Sequence, residues 1–162
     1  MTAITPLEFV HKKGIFGDHQ KKNESDLLKI SEVKNLTIIQ IVQYKGSKIN
    51  INDIKIEGLE IPTQSSKVNS NKETRILWNA PRTWLILASK ENAIETVQKN
   101  FKETDFGITD ISHSRAVIQI QGEQAKEILK KGSPINFNEL GVNQCVGTAF
   151  HGITILIDSI SN

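Results

Sequence analysis

The sequence predicts an α+β protein built from two ferredoxin-like (split βαβ) units, the second of which lacks its last helix and strand. Two observations predict this fold. Apolar runs over residues 36–111 follow the order strand, helix, strand, strand, helix, strand, which is the order of a split βαβ unit. The same order restarts at residue 116 and stops after a pair of strands. The predicted organisation is an arm over residues 1–34, a first unit over 35–112 and a second, incomplete unit over 113–162.

The overall composition excludes several classes of function. The chain has 162 residues and a formal net charge of +2, which gives no reason to expect nucleic acid or an anionic membrane as a partner. No apolar run approaches the roughly 20 residues of a membrane span, and the first ten residues lack the pattern of a secretory signal. The single cysteine, Cys145, permits no intrachain disulfide, which fits a reducing compartment. We therefore expect a soluble cytoplasmic protein.

The N-terminal arm shows no sustained strand or helix period. It is polar and is punctuated by Gly14 and Gly17, which is far short of a nucleotide-binding fingerprint. Such a segment stays disordered or packs on another surface. We interpret Phe16, with Ile15 beside it, either as a small anchor on a partner or as part of a plain surface turn.

The first unit opens with a β-branched strand over residues 36–44. The segment 49–59 fits neither period cleanly, but Asn50 or Asn52 is a suitable cap for a short helix that closes at Gly58. We therefore assign this segment to the first helix of the unit.

Two apolar runs, residues 75–78 and 83–88, flank a turn that contains Pro81, and this pattern predicts a β-hairpin. Trp78 and Trp84 bracket the turn. Stacking on a base or a pterin is one reading of the two indoles, but anchoring of a core or an interface is much more common. We expect Trp84 to be part of the core.

A helix and a strand complete the first unit. Ser89 is the predicted N-cap of the helix, and Glu91 complements its N-terminal dipole. The closing strand is predicted over residues 105–111. The apolar stripe of the helix consists of Ala93, Ile94, Val97 and Phe101.

The second unit begins with an alternating strand over residues 116–121 and a helix over 123–131, with Gly132 as the residue that ends the helix. Residues 146–150 and 153–158 then predict a hairpin around a tight turn at His151 and Gly152. A sheet without its closing helix leaves one apolar face open. The first unit, another subunit or residues beyond 162 would have to cover that face.

The most polar stretch of the chain, residues 110–115, lies between the two units. Asp110, Ser112 and His113 suggest a hydrolase triad, but an extended segment points His113 away from the other two side chains, and no nucleophile elbow is present. We therefore predict that Asp110 and Ser112 hydrogen-bond local backbone in the crossover. His113 and Arg115 would then face a neighbour, since arginine is common at interfaces.

Metal binding and thiol chemistry find little support in the sequence. The four histidines are isolated from one another and from Cys145, so no ligand spacing for a metal is present. Cys145 lies at the start of a predicted strand, where we expect a buried, inert thiol.

Four motifs in fixed order resemble the gamma subunit family of heterotetrameric sarcosine oxidase. The first holds Leu77, Pro81, Trp84 and Leu85, and the second holds Asp110, Ser112, His113 and Arg115. The third runs from Gly122 and Ala125 through Leu129 and Lys131 to Gly132 and Pro134, and the fourth holds Cys145 and Thr148. The likeness covers residues 76–150.

This resemblance implies a fold of the glycine-cleavage T-protein group and a non-catalytic role in assembly and stability, with no active site in this chain. The expected partners are the larger alpha and beta subunits, and the expected interface candidates are His113, Arg115, Phe16 and Gly132. FAD, FMN, NAD and tetrahydrofolate would be bound by the other subunits of a complex that demethylates sarcosine to glycine. Two other hypotheses stay open: a stand-alone folate-binding T-protein-like protein of one-carbon metabolism, and a scaffold that dimerises through an open sheet edge.

Overall fold

The computed structural model describes residues 7–10, 12–17, 19–23, 26–89 and 92–161. Within these residues the protein is mixed α/β and mostly sheet, with two helices. The strands are β1 (Lys29–Glu32), β2 (Thr37–Gln43), β3 (Lys55–Ile56), β4 (Leu59–Glu60), β5 (Val68–Ser70), β6 (Thr74–Ala80), β7 (Thr83–Ala88), β8 (Phe106–Asp110), β9 (Ile118–Gln121), β10 (Gln144–Phe150) and β11 (Ile153–Ser159). The helices are α1 (Ala93–Asn100) and α2 (Ala125–Lys130).

Five antiparallel strands form the central sheet, in the order β5-β6-β7-β2-β8. Successive side chains of a strand point to opposite faces, and Ile76 and Leu77 of β6 accordingly enter two different apolar clusters. The larger cluster joins one face of the sheet to α1 and to the β3–β4 hairpin. This cluster is the main core of the protein.

The C-terminal hairpin, β10 and β11, covers the other face of the central sheet. Cys145 of β10 and Leu156 of β11 pack with Val68 and Leu77 in the smaller cluster. The central sheet therefore supplies cover for this side of the hairpin. On the outer side of the hairpin, Ile153 remains 69% exposed.

The segment 49–59 does not form the expected helix. Asn50 does cap, since its Oδ1 accepts the backbone N–H of Asn52, but the helix is a three-residue 3₁₀ turn, Ile51–Asp53. Glu57 and Gly58 both have positive φ, 49° and 79°, and they form the two-residue turn between β3 and β4. Two consecutive left-handed residues turn a hairpin rather than end a helix, so this helix prediction is wrong.

Both predicted hairpin turns are confirmed. Ala80 pairs with Thr83 across a two-residue turn of Pro81 and Arg82. Phe150 pairs with Ile153 across His151 and Gly152, which have φ of 47° and 84°. These positive φ values match the twist of the flanking strands.

Helix α1 begins later than predicted. Asn92 occupies the N-cap position and makes no side-chain capping bond. Ser89 instead extends β7, since its backbone N–H donates to the carbonyl oxygen of Glu73 at 3.0 Å. Glu91 lies outside the described residues. The predicted apolar stripe is confirmed, because Ala93, Ile94, Val97 and Phe101 all lie in the main core.

The strand that opens the second half of the chain pairs with the N-terminal arm. β9 runs antiparallel to β1, whose residues lie in the segment expected to lack regular structure. A sequence period is hard to detect in a strand of only four residues, and Ile30 is the single apolar residue of β1. β9 does not join the β10–β11 hairpin.

Candidate subunit interface

Hydrogen bonds hold the first half of the segment from Asp110 to Arg115 against the central sheet. Ser112 donates its hydroxyl proton to Asp110 Oδ1 at 2.5 Å and accepts the backbone N–H of Ile38 at 2.9 Å. The backbone N–H of Ser112 also donates to Asp110 Oδ1, and that of Ile111 donates to the Ile38 carbonyl. The predicted hydrogen bond to local backbone is therefore confirmed for Asp110, whereas the Ser112 hydroxyl bonds the distant backbone of Ile38. Ser112–Ser114 is a 3₁₀ turn and not extended.

This geometry does not activate Ser112 as a nucleophile. The Ser112 hydroxyl proton points at the carboxylate of Asp110, and no hydrogen bond joins Ser112 to His113 among the described contacts. The hydrogen bonds from the Ser112 hydroxyl and backbone hold the pKa of Asp110 below its ordinary value. A carboxylate that stays ionised and accepts two hydrogen bonds acts as a structural acceptor.

Replacing Ser112 by alanine is expected to lower the free energy of unfolding by about 1–2 kcal/mol, because the partly buried Ile38 N–H loses its acceptor. The loss is expected to be largest near neutral pH. Since Asp110 has a lowered pKa when folded, its contribution is present above the ordinary carboxyl pKa and disappears as the pH falls through the lowered one. Urea unfolding of wild type and variant across acidic and neutral pH measures both effects.

Ser114→Ala serves as the control for that experiment, because the exposed Ser114 hydroxyl donates only to the carbonyl of Ile111. Its expected effect is within about 0.5 kcal/mol. Equal losses in Ser112→Ala and Ser114→Ala would contradict the pinning role of Ser112.

The second half of the segment is open to solvent. His113 and Arg115 are exposed, and Arg115 forms no ion pair with the described residues. Its guanidinium donates only to the carbonyl of Ser114, at 3.5 Å. Phe16 in the arm is 68% exposed. These three predicted interface residues are therefore available to a partner.

Gly132, the fourth predicted interface residue, makes close contacts within the protein. A Cβ at this position would lie 2.6 Å from the ring of Phe150 and 2.8 Å from that of His151. The carbonyl of Gly132 accepts the backbone N–H of His151, and the hydroxyls of Ser133 and Thr148 are 3.1 Å apart. This glycine lets the end of α2 approach the C-terminal hairpin, which is a packing role the motif alone did not indicate.

The two most chemically suggestive core side chains are also structural. Trp84 is buried, as predicted, and its Nε1–H donates to the carbonyl of Pro62 at 2.7 Å. Cys145 is buried too, and its thiol donates to the carbonyl of Trp78. Burial raises the pKa of the Cys145 thiol to about 11, which keeps it protonated and unreactive.

Sequence reasoning missed the polar link between the two halves of the protein. Arg75 of β6 donates from Nε and Nη2 to both carboxylate oxygens of Asp158 in β11, at 2.6 and 2.7 Å. Asn143 Oδ1 accepts from Arg75 and from the Ser70 hydroxyl. The partners lie 83 positions apart in the chain, so no local pattern could have revealed the pair.

Two depressions in the described part of the chain differ in size and in openness. The enclosed space between α1 and the sheet, lined by residues such as Ile86 and Val97, has a volume of about 10 Å³, which holds at most one water molecule. A second depression of about 410 Å³, beside Leu59 and Asn69, is a polar and open surface cleft. No group of three or more His, Cys, Asp or Glu side chains in the described part of the chain is placed to hold a metal.

A family model for the sarcosine oxidase gamma subunit matches residues 50–160, well over half of the chain. The chain belongs to the sarcosine oxidase gamma subunit family. The resemblance carried by the four motifs is thereby confirmed. One curated member of the family is similar to this chain: the sarcosine oxidase subunit gamma of Corynebacterium sp. (strain U-96), 28% identical over 104 residues, or 62% of this chain and 51% of the relative. This gamma-family chain therefore spans about half the length of that relative.

Two solved structures are similar in fold to the gamma-family chain. The heterotetrameric sarcosine oxidase from Corynebacterium sp. U-96, in complex with pyrrole 2-carboxylate, contains a chain with a TM-score of 0.73 and 24% identity, covering 83% of this chain and 71% of that one. The glycine cleavage system aminomethyltransferase T from Bartonella henselae matches with a TM-score of 0.53 and 14% identity, over 73% of this chain and 35% of the other. This second match shows a likeness in fold alone.

No helix among the residues described in this gamma-family chain is both long enough and apolar enough to span a membrane.

Proposed function

We propose that this protein is the non-catalytic gamma subunit of a heterotetrameric sarcosine oxidase. In this role it stabilises an assembly that demethylates sarcosine to glycine, with a folate as the one-carbon acceptor. The match of residues 50–160 to the gamma subunit family carries the proposal. The similar chain in the Corynebacterium heterotetramer supports it, since that chain has the same fold.

The proposed partners are the larger alpha and beta subunits, and the proposed location is the cytoplasm. FAD, FMN, NAD and tetrahydrofolate are assigned to the other subunits. The cavity of about 10 Å³ supports this division, because ligand sites commonly occupy about 300 Å³ or more, and the larger cleft of about 410 Å³ is open and polar. The buried Cys145 thiol and the engaged Ser112 hydroxyl likewise support a chain without chemistry of its own.

Co-expression with the alpha and beta subunits of the same organism tests the proposal. An affinity tag on this chain is expected to recover both larger subunits in one stable complex that turns over sarcosine, whereas the isolated chain is expected to show no turnover. If the isolated chain is monodisperse and never recovers either larger subunit, the proposal is wrong.

A folate-binding protein that acts alone is the second candidate, and the structural likeness to aminomethyltransferase T favours keeping it. The open cleft beside Leu59 and Asn69 has a volume of about 410 Å³. It is polar and open to solvent, which suits a pterin ring poorly because aromatic ligands bind in enclosed apolar pockets. Titration of the isolated chain with tetrahydrofolate decides the matter, and saturable binding at micromolar concentrations would favour this candidate.

We further propose that residues 35–112 form a ferredoxin-like unit in which the β3–β4 hairpin stands in for the first helix. The antiparallel order β6-β7-β2-β8 supports this interpretation, because a split βαβ unit places its third strand between the first two. For residues 113–162 the described pairings give less support to a second unit, since β9 pairs with β1 and β10 with β11. The boundary after residue 34 separates β1 from this unit.

Replacing Arg115 by alanine is expected to weaken assembly without changing the fold. Its guanidinium makes no ion pair within the described chain, and an interface arginine commonly contributes ~2 kcal/mol or more, which is about thirtyfold in the dissociation constant. Binding of the variant to the larger subunits measures the loss.

The melting temperature of isolated Arg115→Ala is expected to equal that of wild type. Lys102→Ala removes another exposed cation and serves as the control, with unchanged binding expected. Unfolding of Arg115→Ala, or wild-type affinity for the larger subunits, would contradict an interface role for this residue.

A further inference from the structure

One edge of β11 pairs with no other strand in the described part of the chain. Its other edge pairs with β10 along its full length. Cys145 of β10 lies opposite Asp158, and its backbone N–H donates to the carbonyl of Ser66, on the side away from β11. Because the direction of hydrogen bonding alternates along an antiparallel strand, the backbone N–H and C=O groups of Thr154, Leu156 and Asp158 point away from β10. These groups form the open edge of β11.

This edge lacks the features that commonly keep an edge strand from pairing with another chain. Short length, lysine, proline and bulges are the usual protections. β11 has seven residues, contains no lysine, arginine or proline, and keeps an unbroken register with β10. The edge of β5 differs, since β5 has three residues and its Val68 N–H donates to the carbonyl of Asn143. The edge of β11 is therefore suited to the addition of a strand.

A second copy of β11 fits this edge in one antiparallel register. Leu156 is the middle residue of Ile153–Ser159, so a two-fold axis at Leu156 pairs the whole strand with its copy. Each Leu156 then exchanges two backbone hydrogen bonds with the other, and Thr154 exchanges two with Asp158 of the second copy. Moving the axis by one residue places Thr154 or Asp158 opposite a residue outside the strand. The length of β11 thus selects the register.

The side chains of β11 agree with this register. Ile155 of one copy lies opposite Ile157 of the other, at a closely spaced position where β-branched pairs stabilise a sheet. Asp158 is the only charged residue of β11, and it already pairs with Arg75. In the paired strands it lies opposite Thr154 and not opposite the second Asp158. The register therefore brings no like charges together.

We propose that the open edge of β11 pairs with the same edge of a second copy of this chain, so that two C-terminal hairpins form one four-stranded antiparallel sheet. The length, the register and the charge of β11 specify its own copy as the occupant, whereas nothing in the described chain specifies a foreign strand. One added strand pair makes a small interface, so a weak dimer is expected. The inference is independent of the proposed function, because it concerns the isolated chain.

Thr154→Pro tests the inference. The Thr154 N–H faces the open edge, so proline removes no hydrogen bond to β10 but removes a donor to the second copy and places its ring in the way. Sedimentation equilibrium of the isolated chain at about 10–200 μM is expected to show a dimer for wild type, with a dissociation constant raised about tenfold or more in the variant.

Ala149→Pro is the matched control. Ala149 lies opposite Thr154, and its N–H faces the other edge of the hairpin. Proline there carries the same risk to the fold but leaves the β11 edge intact, so association as in wild type is expected. Thermal unfolding of both variants checks that the fold is retained.

Thr154→Asp is a second variant that keeps the backbone N–H. The Thr154 side chain is exposed, so the fold is expected to be unchanged. The new carboxylate lies opposite Asp158 of the second copy, and weaker association is expected, with a smaller loss than for proline. This variant carries the comparison if either proline variant fails to fold.

Three outcomes overturn the inference. The first is a wild-type chain that stays monomeric up to about 200 μM. The second is a dimer that Thr154→Pro and Ala149→Pro weaken equally, or that neither Thr154→Pro nor Thr154→Asp weakens. The third is a monomeric chain whose recovery of the larger oxidase subunits is lost in Thr154→Pro alone, which would assign the edge to one of those subunits. Recovery of the larger subunits by wild type decides the proposed function separately.

Discussion

Replacing Trp84 by alanine is expected to lower the free energy of unfolding by about 3–5 kcal/mol, the largest single loss expected in this protein. The side chain lies in the main core with Ile41, Ile76 and Ile86, so its removal leaves a large cavity on the helix-covered face of the sheet. It also leaves the carbonyl of Pro62 without its donor. Urea unfolding of the isolated chain measures the loss.

Trp84→Phe separates the two causes. Phenylalanine keeps most of the apolar volume but cannot donate to Pro62, so a loss of about 1–3 kcal/mol is expected. Tyr44→Ala removes an aromatic ring that is 45% exposed and is expected to cost much less. A Trp84→Ala protein that unfolds at the wild-type urea concentration would show that Trp84 is not a core residue.

Replacing Asp158 by alanine is expected to lower the free energy of unfolding by about 3 kcal/mol. The substitution leaves the mostly buried guanidinium of Arg75 without its carboxylate partner. The two side chains are only 19% and 15% exposed and are joined by two short hydrogen bonds. The pair connects β6 of the central sheet to β11 of the C-terminal hairpin. Proteolysis is therefore expected to attack the hairpin of the variant before the rest of the chain.

Glu60→Ala provides the control for this prediction. Glu60 also pairs with a cation, Lys55, but the two side chains are 69% and 56% exposed, and such pairs contribute about 0–1 kcal/mol. The double variant Arg75→Met with Asp158→Leu is expected to recover much of the stability that Asp158→Ala loses, because an apolar pair leaves no buried charge. Equal losses for Asp158→Ala and Glu60→Ala would contradict a special role for the Arg75 link.

Local patterns predicted those parts of the fold that local chemistry determines. The strand over 36–44, the Pro81 hairpin and the His151 hairpin follow from β-branched runs and turn residues, and the structure contains all three. The helix prediction for residues 49–59 was wrong, because an Asn cap and a later glycine fit either a helix or a hairpin. The positive φ values of Glu57 and Gly58 belong to the hairpin. Pairing of β9 with β1 joins distant segments, and strand periods carry no information about the partner.

The contacts of the candidate site likewise include some that the sequence predicts and some that it does not. The hydrogen bond from the backbone of Ser112 to Asp110 was predictable, since aspartate side chains favour nearby backbone N–H groups, but the bond from Ile38 to the Ser112 hydroxyl was not. The close approach of Gly132 to Phe150 and the pairing of Arg75 with Asp158 were not, because each depends on how two distant elements pack. The pairing of β1 with β9, which brings Ile30 opposite Ile120, also depends on segments far apart in the chain.

The mass of the co-expressed assembly under native conditions tests the central proposal most directly. The chain, expressed untagged with the alpha and beta subunits and purified through a tag on alpha, is expected to appear in one particle with both larger subunits. Its release from that particle by Arg115→Ala, but not by Lys102→Ala, would support the assigned contact. The proposed role would be contradicted by a particle that lacks this chain. Such a particle would contain alpha and beta, would be stable and would turn over sarcosine.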